Sequence, residues 1–194
     1  MTNSVEFQTM KAFDAQILDE CRKLDKMVYG EQFIKDIELE TALIKKNPRT
    51  RVITWHDKRV IGYREFFPLT PEAFDLFLET RDQVFDLLIK PDFISPWIKG
   101  APVDVYGSSA VLHPDYQHLL INVSMLRAVF LCYRELEHEG FQIGRYGVTA
   151  VSKGGEKTAK EMWGLNRLHE VPGGIAMVND GKAVMAFLDS YLGV

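Results

Sequence analysis

A chain of 194 residues and 22.2 kDa is most simply one domain, at roughly 150 residues per domain. Apolar residues make up 46% and charged ones 26%, enough for a real core, and a net charge of −4 argues against gripping nucleic acid or anionic lipid through bulk charge. No apolar run reaches the roughly 20 residues of a membrane span, the first six residues lack the basic-then-apolar start of a signal peptide, and Cys21 and Cys132 are too few for a disulfide framework, so the reading is cytoplasmic.

Residues 5–10 alternate weakly and predict a first strand. From 14 to 29 the spacing changes. Ile17, Leu18, Cys21, Leu24 and Val28 recur at threes and fours on one helix face, with Asp14 as N-cap and Gly30 as stop. A second helix is predicted over 32–46, with Phe33, Ile37, Leu43 and Ile44 on its faces and Asn47-Pro48 ending it. The β-rich runs 51–55 and 59–63, joined by His56-Asp57-Lys58, predict a hairpin whose second strand continues to Phe67 before Pro68 stops it.

Residues 68–102 contain two helix-like stretches, 71–79 and 83–89, then Phe93, Ile94, Trp97 and Ile98 punctuated by Pro91, Pro96 and Gly100. So aromatic a stretch reads as a helical insertion folded over one end of a sheet, since linkers are poor in aromatics. A strand follows over 103–112, then a long helix capped by Asp115. Ile121, Met125, Leu126, Val129, Phe130, Tyr133 and Leu136 form its stripe, and Gly140 closes it. A strand over 143–151, a helix over 155–163 ending at Gly164, and strands over 168–171 and 175–178 come next. Residues 184–188 read as either another strand or a C-terminal helix. A strand–helix–strand crossover beside a hairpin makes this an α/β chain with a mixed central sheet and helices on both faces.

Within that order, the segment Val111-Leu-His-Pro-Asp-Tyr-Gln-His-Leu-Leu-Ile-Asn-Val-Ser-Met-Leu126 resembles the GNAT superfamily of acyl-CoA N-acyltransferases. There a strand ends in an apolar residue, one more residue and a proline, and a Gln/Arg-x-x-Gly-x-Gly/Ala loop opens a long helix. Gln117 matches the first loop residue, while Leu120 and Asn122 stand at the glycine positions. Asn tolerates left-handed geometry; Leu120 is expected to crowd a bound diphosphate. Residues 146–152 and 155–165 are similar to the family's next strand and helix, with Ala159 and Gly164-Leu165 at its Ala and Gly-Phe positions. The general-acid tyrosine that many members carry there has no counterpart, Trp163 being the nearest aromatic. The missing glycines and the insertion are similar to the acyl-homoserine-lactone and N-acyl amino acid synthase branch, whose resemblance implies an acyl-carrier protein as an alternative donor.

The resemblance implies one GNAT-like domain over 1–194 that transfers an acetyl or longer acyl group to a small-molecule or peptide amine. Acetyl-CoA or another acyl-CoA would be the co-substrate, with no metal, no nucleic acid and no membrane, and a homodimer stays open. Backbone N–H groups over Gln117, His118, Leu119, Leu120, Ile121 and Asn122, with the positive end of the helix dipole, would hold the diphosphate. Ser152 would assist from the next strand-to-helix turn. The pantetheine arm would lie where strands 103–112 and 143–151 splay apart, with a backbone N–H near Val111 or Leu112 on the thioester. Acyl transfer to an amine also needs a base and a proton source. Glu65 and Asp104 are the base candidates and Tyr106 the acid; the ordinary alternative is strand-end groups making structural hydrogen bonds. The competing reading is a non-catalytic GNAT-like binding or regulatory module, favoured by Leu120 and the missing tyrosine.

The remaining polar candidates read as structural. His113 and His118 straddle a proline, a poor arrangement for a shared metal, and His138 and His169 read as solvent-facing. Both cysteines read as inert core thiols, and the basic run 45–51 as a complement to a helix C-terminus rather than a phosphate site.

Overall fold

The structure, a computed structural model, describes residues 5–31, 35–117 and 119–193. Its strands are β1 (Val5–Thr9), β2 (Arg51–His56), β3 (Arg59–Leu69), β4 (Pro102–Leu112), β5 (Gln142–Ala150), β6 (Asn166–Val171) and β7 (Gly174–Asp180). The helices are α1 (Ala15–Tyr29), α2 (Ile37–Lys46), α3 (Pro71–Glu79), α4 (Leu119–His138), α5 (Lys153–Trp163) and α6 (Gly181–Leu192). The strands form one mixed seven-stranded sheet in the order β1-β2-β3-β4-β5-β7-β6, with helices on both faces. Contacts divide the chain into two compact units, Met1–Glu65 with Ser109–Cys132 and Phe66–Ser108 with Tyr133–Val194.

In the first unit, Asp14 caps α1 by accepting from Gln16 N and Ile17 N, and Leu18, Cys21 and Leu24 bury its stripe against Ile44, Ile53, Val60, Tyr63 and Val111. The second helix starts later than its periodicity predicts. Asp36 accepts from Glu38 N and Leu39 N and sets the start of α2 at Ile37; the proposed positions 32–34, Phe33 among them, lie outside the described residues. The hairpin turn is two residues, not three. Asp57 (φ 48°) and Lys58 (φ 64°) are both left-handed, while His56 already pairs with Arg59. This is the twist-matched turn that two-residue hairpins favour.

Pro68 does not end β3, which runs on to Leu69. Its missing N–H is not needed there, because Pro68 contributes only its carbonyl, to Ser95 N at 2.9 Å. In the second unit, Thr70 caps α3 with Pro71 in its first turn. Residues 83–89 shrink to a single 3₁₀ turn at Phe85–Leu87, and another forms at Pro91–Phe93. The core of this unit is aromatic. Phe77 packs edge-on against Phe74, Phe85 and Tyr106, and Tyr146 stacks on Trp163 at 5.0 Å. Residues 184–188 belong to α6, capped by Asp180.

Asp115 is not the cap of the long helix. It sits inside a 3₁₀ turn, Pro114–Tyr116, and α4 opens only at Leu119. The predicted stripe is otherwise buried, from Met125 and Leu126 to Tyr133 and Leu136.

Candidate active site

The approach to α4 is built on the hairpin of the first unit. His113 N donates to Ile61 O at 2.7 Å, and the Tyr116 hydroxyl meets His56 Nδ1 at 2.8 Å. The Gln117 amide reaches back to Leu112 O at 3.4 Å. The strand end, the 3₁₀ turn and the start of α4 are thereby fixed on one scaffold. The first four N–H groups of any α-helix lack intrahelical acceptors, and its dipole makes that end positive. At this end the Leu120 side chain is 80% exposed. Asn122 and Ile121 are half-buried, and His118 lies outside the described residues. Val111 and Leu112, where the thioester is expected, are buried at the close of β4.

In the second unit, β4 pairs in parallel with β5 from Pro102 opposite Gln142 to Gly107 opposite Val148. Thr149 and Ala150 of β5 pair on their other side with Ala176 and Ile175 of β7. Along this pairing lies a polar cluster set in aromatic surroundings. Tyr106, 0% exposed, places its hydroxyl 2.5 Å from Asp86 Oδ2 and 2.9 Å from Thr149 Oγ1. Ser108, one step along the same strand face, donates to Asp86 Oδ1 at 2.6 Å. Asp86 thus binds one strand through both carboxylate oxygens.

This geometry reassigns the three catalytic candidates. Tyr106 is no exposed acid. Its proton is directed at Asp86, and burial, reinforced by the Asp86 charge, raises its pKa well above the ordinary tyrosine value. Asp104 accepts from Arg145 through the backbone N at 2.7 Å, Nε at 3.1 Å and a terminal nitrogen at 2.6 Å. The same guanidinium meets Asp75 and lies over the Phe74 ring. Asp104 is a strut between two elements, not a base open to substrate. Glu65, 4% exposed, pairs with Arg51 at 2.6 Å and with Lys35 at 3.6 Å. Burial works against the Arg51 charge, but Glu65, Tyr63 and Glu40 override it and hold its pKa well above the usual arginine value. Arg51, 1% exposed, is therefore not part of a phosphate-binding basic patch.

The other candidates are also placed. Ser152 caps α5, its hydroxyl accepting from Gly155 N at 3.0 Å. His169 is not solvent-facing; it is half-buried, with Nε2 2.7 Å from Thr80 O and 2.8 Å from Arg81. Among the described residues no group of three or more His, Cys, Asp or Glu is arranged to hold a metal, and no helix is long and apolar enough to cross a membrane. Sequence reasoning missed Asp86 and Thr149. Asp86 stands in an insertion without periodicity, and only the folded chain brings it to Ser108, 22 residues away.

No protein-family model matches the sequence, and no curated protein is significantly similar to it. Solved structures do match over nearly the whole chain. The loading GNATL domain of CurA from Lyngbya majuscula superposes with a TM-score of 0.66 at 11% identity, covering 93% of this chain and 100% of that one.

The fold is the GNAT fold.

The GphF GNAT-like decarboxylase in complex with isobutyryl-CoA matches with a TM-score of 0.60 at 10% identity, over 90% of this chain and 98% of that one. The NatC complex bound to Gag peptide and CoA matches at 0.59 and 11%, over 91% and 98%. At such identities the architecture is shared while every functional residue has to be argued on this chain's own GNAT scaffold.

Proposed function

We propose that this chain is an N-acyltransferase that moves an acyl group from a CoA thioester to an amine. The observation that carries the reading is the start of α4 at Leu119, the positive end of a 20-residue helix set directly after β4 in a GNAT scaffold. The donor's diphosphate would take the amides of Leu119, Leu120, Ile121 and Asn122. Helix N-termini suit that charge because fixed N–H dipoles replace its hydration shell. The pantetheine arm would follow β4 toward its end at Leu112. An amide near Val111 or Leu112 would then polarise the thioester carbonyl.

The CoA-bound and peptide-bound neighbours agree with this reading for donor and acceptor. The insertion between β3 and β4 supports an acyl-carrier donor as the variant proper to the acyl-homoserine-lactone and N-acyl amino acid synthase branch. Titration calorimetry with acetyl-CoA, hexanoyl-CoA and hexanoyl-pantetheine separates the options. Saturable heat with the CoA esters and none with the pantetheine ester assigns the nucleotide a role at α4. Equal affinity for both hexanoyl thioesters assigns the donor to a carrier. No heat with any thioester returns the chain to a non-catalytic binding module.

A further inference from the structure

The first unit holds a cavity that the acyl-transfer reading leaves unused. It measures about 350 Å³ and is lined by the first turns of α1 and by the tip of the β2–β3 hairpin, with no residue of β4 or α4. That volume lies near the lower end of the roughly 300–1,000 Å³ of small-molecule sites, so it suits a small metabolite. Its apolar part is Ile17, Trp55 and Val60. Val60 is buried in the core cluster of this unit, and Ile17 and Trp55 pack against the same cluster. A shift of strand register after Thr54 sets Trp55 opposite Val60. The charged lining is divided by sign. The helix side contributes Asp14 and Glu20, and the hairpin contributes Lys58 and Arg59. Among the described residues the Lys58 and Arg59 side chains have no ion-pair or hydrogen-bond partner. Asp14 caps α1 with Oδ1 alone, accepting there from both Gln16 N and Ile17 N, which leaves Oδ2 open. Glu20 shares its charge with Lys23. The indole Nε1 of Trp55 is buried without a hydrogen-bond partner, a state that carries a desolvation penalty until an acceptor arrives.

We infer that this cavity binds a free α-amino acid with an apolar side chain, in its zwitterionic form. Opposite charges that line one cavity without pairing are satisfied together by a ligand that carries both signs. The ammonium group takes Asp14, and the carboxylate takes Lys58, Arg59 and the Trp55 N–H, as charge-assisted hydrogen bonds. A simple anion would meet the Asp14 charge, and a simple cation those of Lys58 and Arg59, so each is disfavoured relative to the zwitterion. Ile17, Val60 and the Trp55 ring give the side chain an apolar surface to cover. Lys58 stands in the left-handed region at φ 64°, where glycine would be less strained. Strain of that kind is retained where the side chain is used. The inference is independent of the donor reading, since the cavity shares no residue with the start of α4.

L-Leucine, L-phenylalanine, 3-methylbutylamine and 4-methylpentanoate serve as probes of the full-length protein, titrated without any thioester and followed by calorimetry and tryptophan fluorescence. The amine and the acid are leucine without its carboxylate and without its ammonium group. At least one of the two amino acids saturates the native chain one-to-one. Each leucine fragment binds about tenfold more weakly than leucine or worse, the scale of a lost charged hydrogen bond. Asp14→Asn keeps a capping oxygen at α1 and lowers amino-acid affinity by about tenfold. The double variant Lys58→Gly, Arg59→Gln lowers it by about tenfold or more, although the glycine relieves the strained turn, so loss of folding does not account for the effect. Ligand changes the emission of native protein and of Trp97→Phe but not that of Trp55→Phe. Circular dichroism confirms that each variant is folded. Failure of both amino acids to bind, a fragment that binds as tightly as leucine, charge variants that bind like native protein, or an emission change that survives Trp55→Phe overturns the assignment.

Discussion

At the residue scale the chain hides more charge than its composition suggests. Arg51 lies between Glu40 and Glu65 with 1% of its surface exposed, and its guanidinium stacks over Tyr63 at 4.9 Å. Removing one partner of such a set leaves an uncompensated buried charge. Glu65→Gln is therefore expected to destabilise the fold by about 3 kcal/mol in chemical denaturation, whatever its effect on activity. A Glu65 serving only as an exposed base would leave stability unchanged. Beside this set, burial pushes the Asp25 carboxyl up to about 6, opposed by the Tyr63 hydroxyl that donates to it at 2.5 Å. The folded state then holds a proton that the unfolded chain has released, so this group favours folding at low pH and its contribution is lost as pH rises from about 4 through 6. Asp25→Asn should flatten the stability profile across that window, by an amount on the order of 2 kcal/mol. An unchanged slope there contradicts the assignment. Burial likewise lifts the Cys21 thiol to about 12, so neither Cys21 nor the buried Cys132 should react with a thiol reagent until the chain unfolds.

Elements were legible in the sequence wherever a local rule decides them. Asp14 and Gly164 are caps because a side-chain oxygen or a left-handed backbone satisfies orphan groups at helix ends. The hairpin was legible for the same reason, but its turn length was not. Two non-glycine residues in the left-handed region are unusual enough that spacing alone reads a three-residue turn. Lys58→Gly relieves that strain and should raise stability by about 1 kcal/mol; a loss would show that the Lys58 side chain holds the turn. Other elements turn on contacts remote in sequence. Pro68 remains in β3 because the insertion returns to use its carbonyl. Gly147 is glycine because a Cβ there would stand 2.4 Å from the Phe77 ring, so Gly147→Ala should be destabilising. Asp86 belongs with these cases: nothing near it in the chain signals that two hydroxyls of β4 await it.

For the whole molecule, the GNAT architecture was legible from element order and a half-preserved motif, since order and right-handed crossovers leave few alternatives. The donor site was legible only as a place in that order. Leu120 at a glycine position argues for crowding of a bound diphosphate, and in the fold its side chain is 80% exposed to solvent. The net charge of −4 offers a polyanionic CoA no general attraction, so affinity must arise locally at the helix start. Leu120→Glu should weaken acetyl-CoA binding about fivefold, the equivalent of ~1 kcal/mol for a charge at that position. Titration calorimetry of the native chain with acetyl-CoA, run beside Leu120→Glu, tests the account most directly. It predicts saturable one-to-one binding that the added charge weakens; native protein that gives no heat, or a variant that binds unchanged, contradicts it.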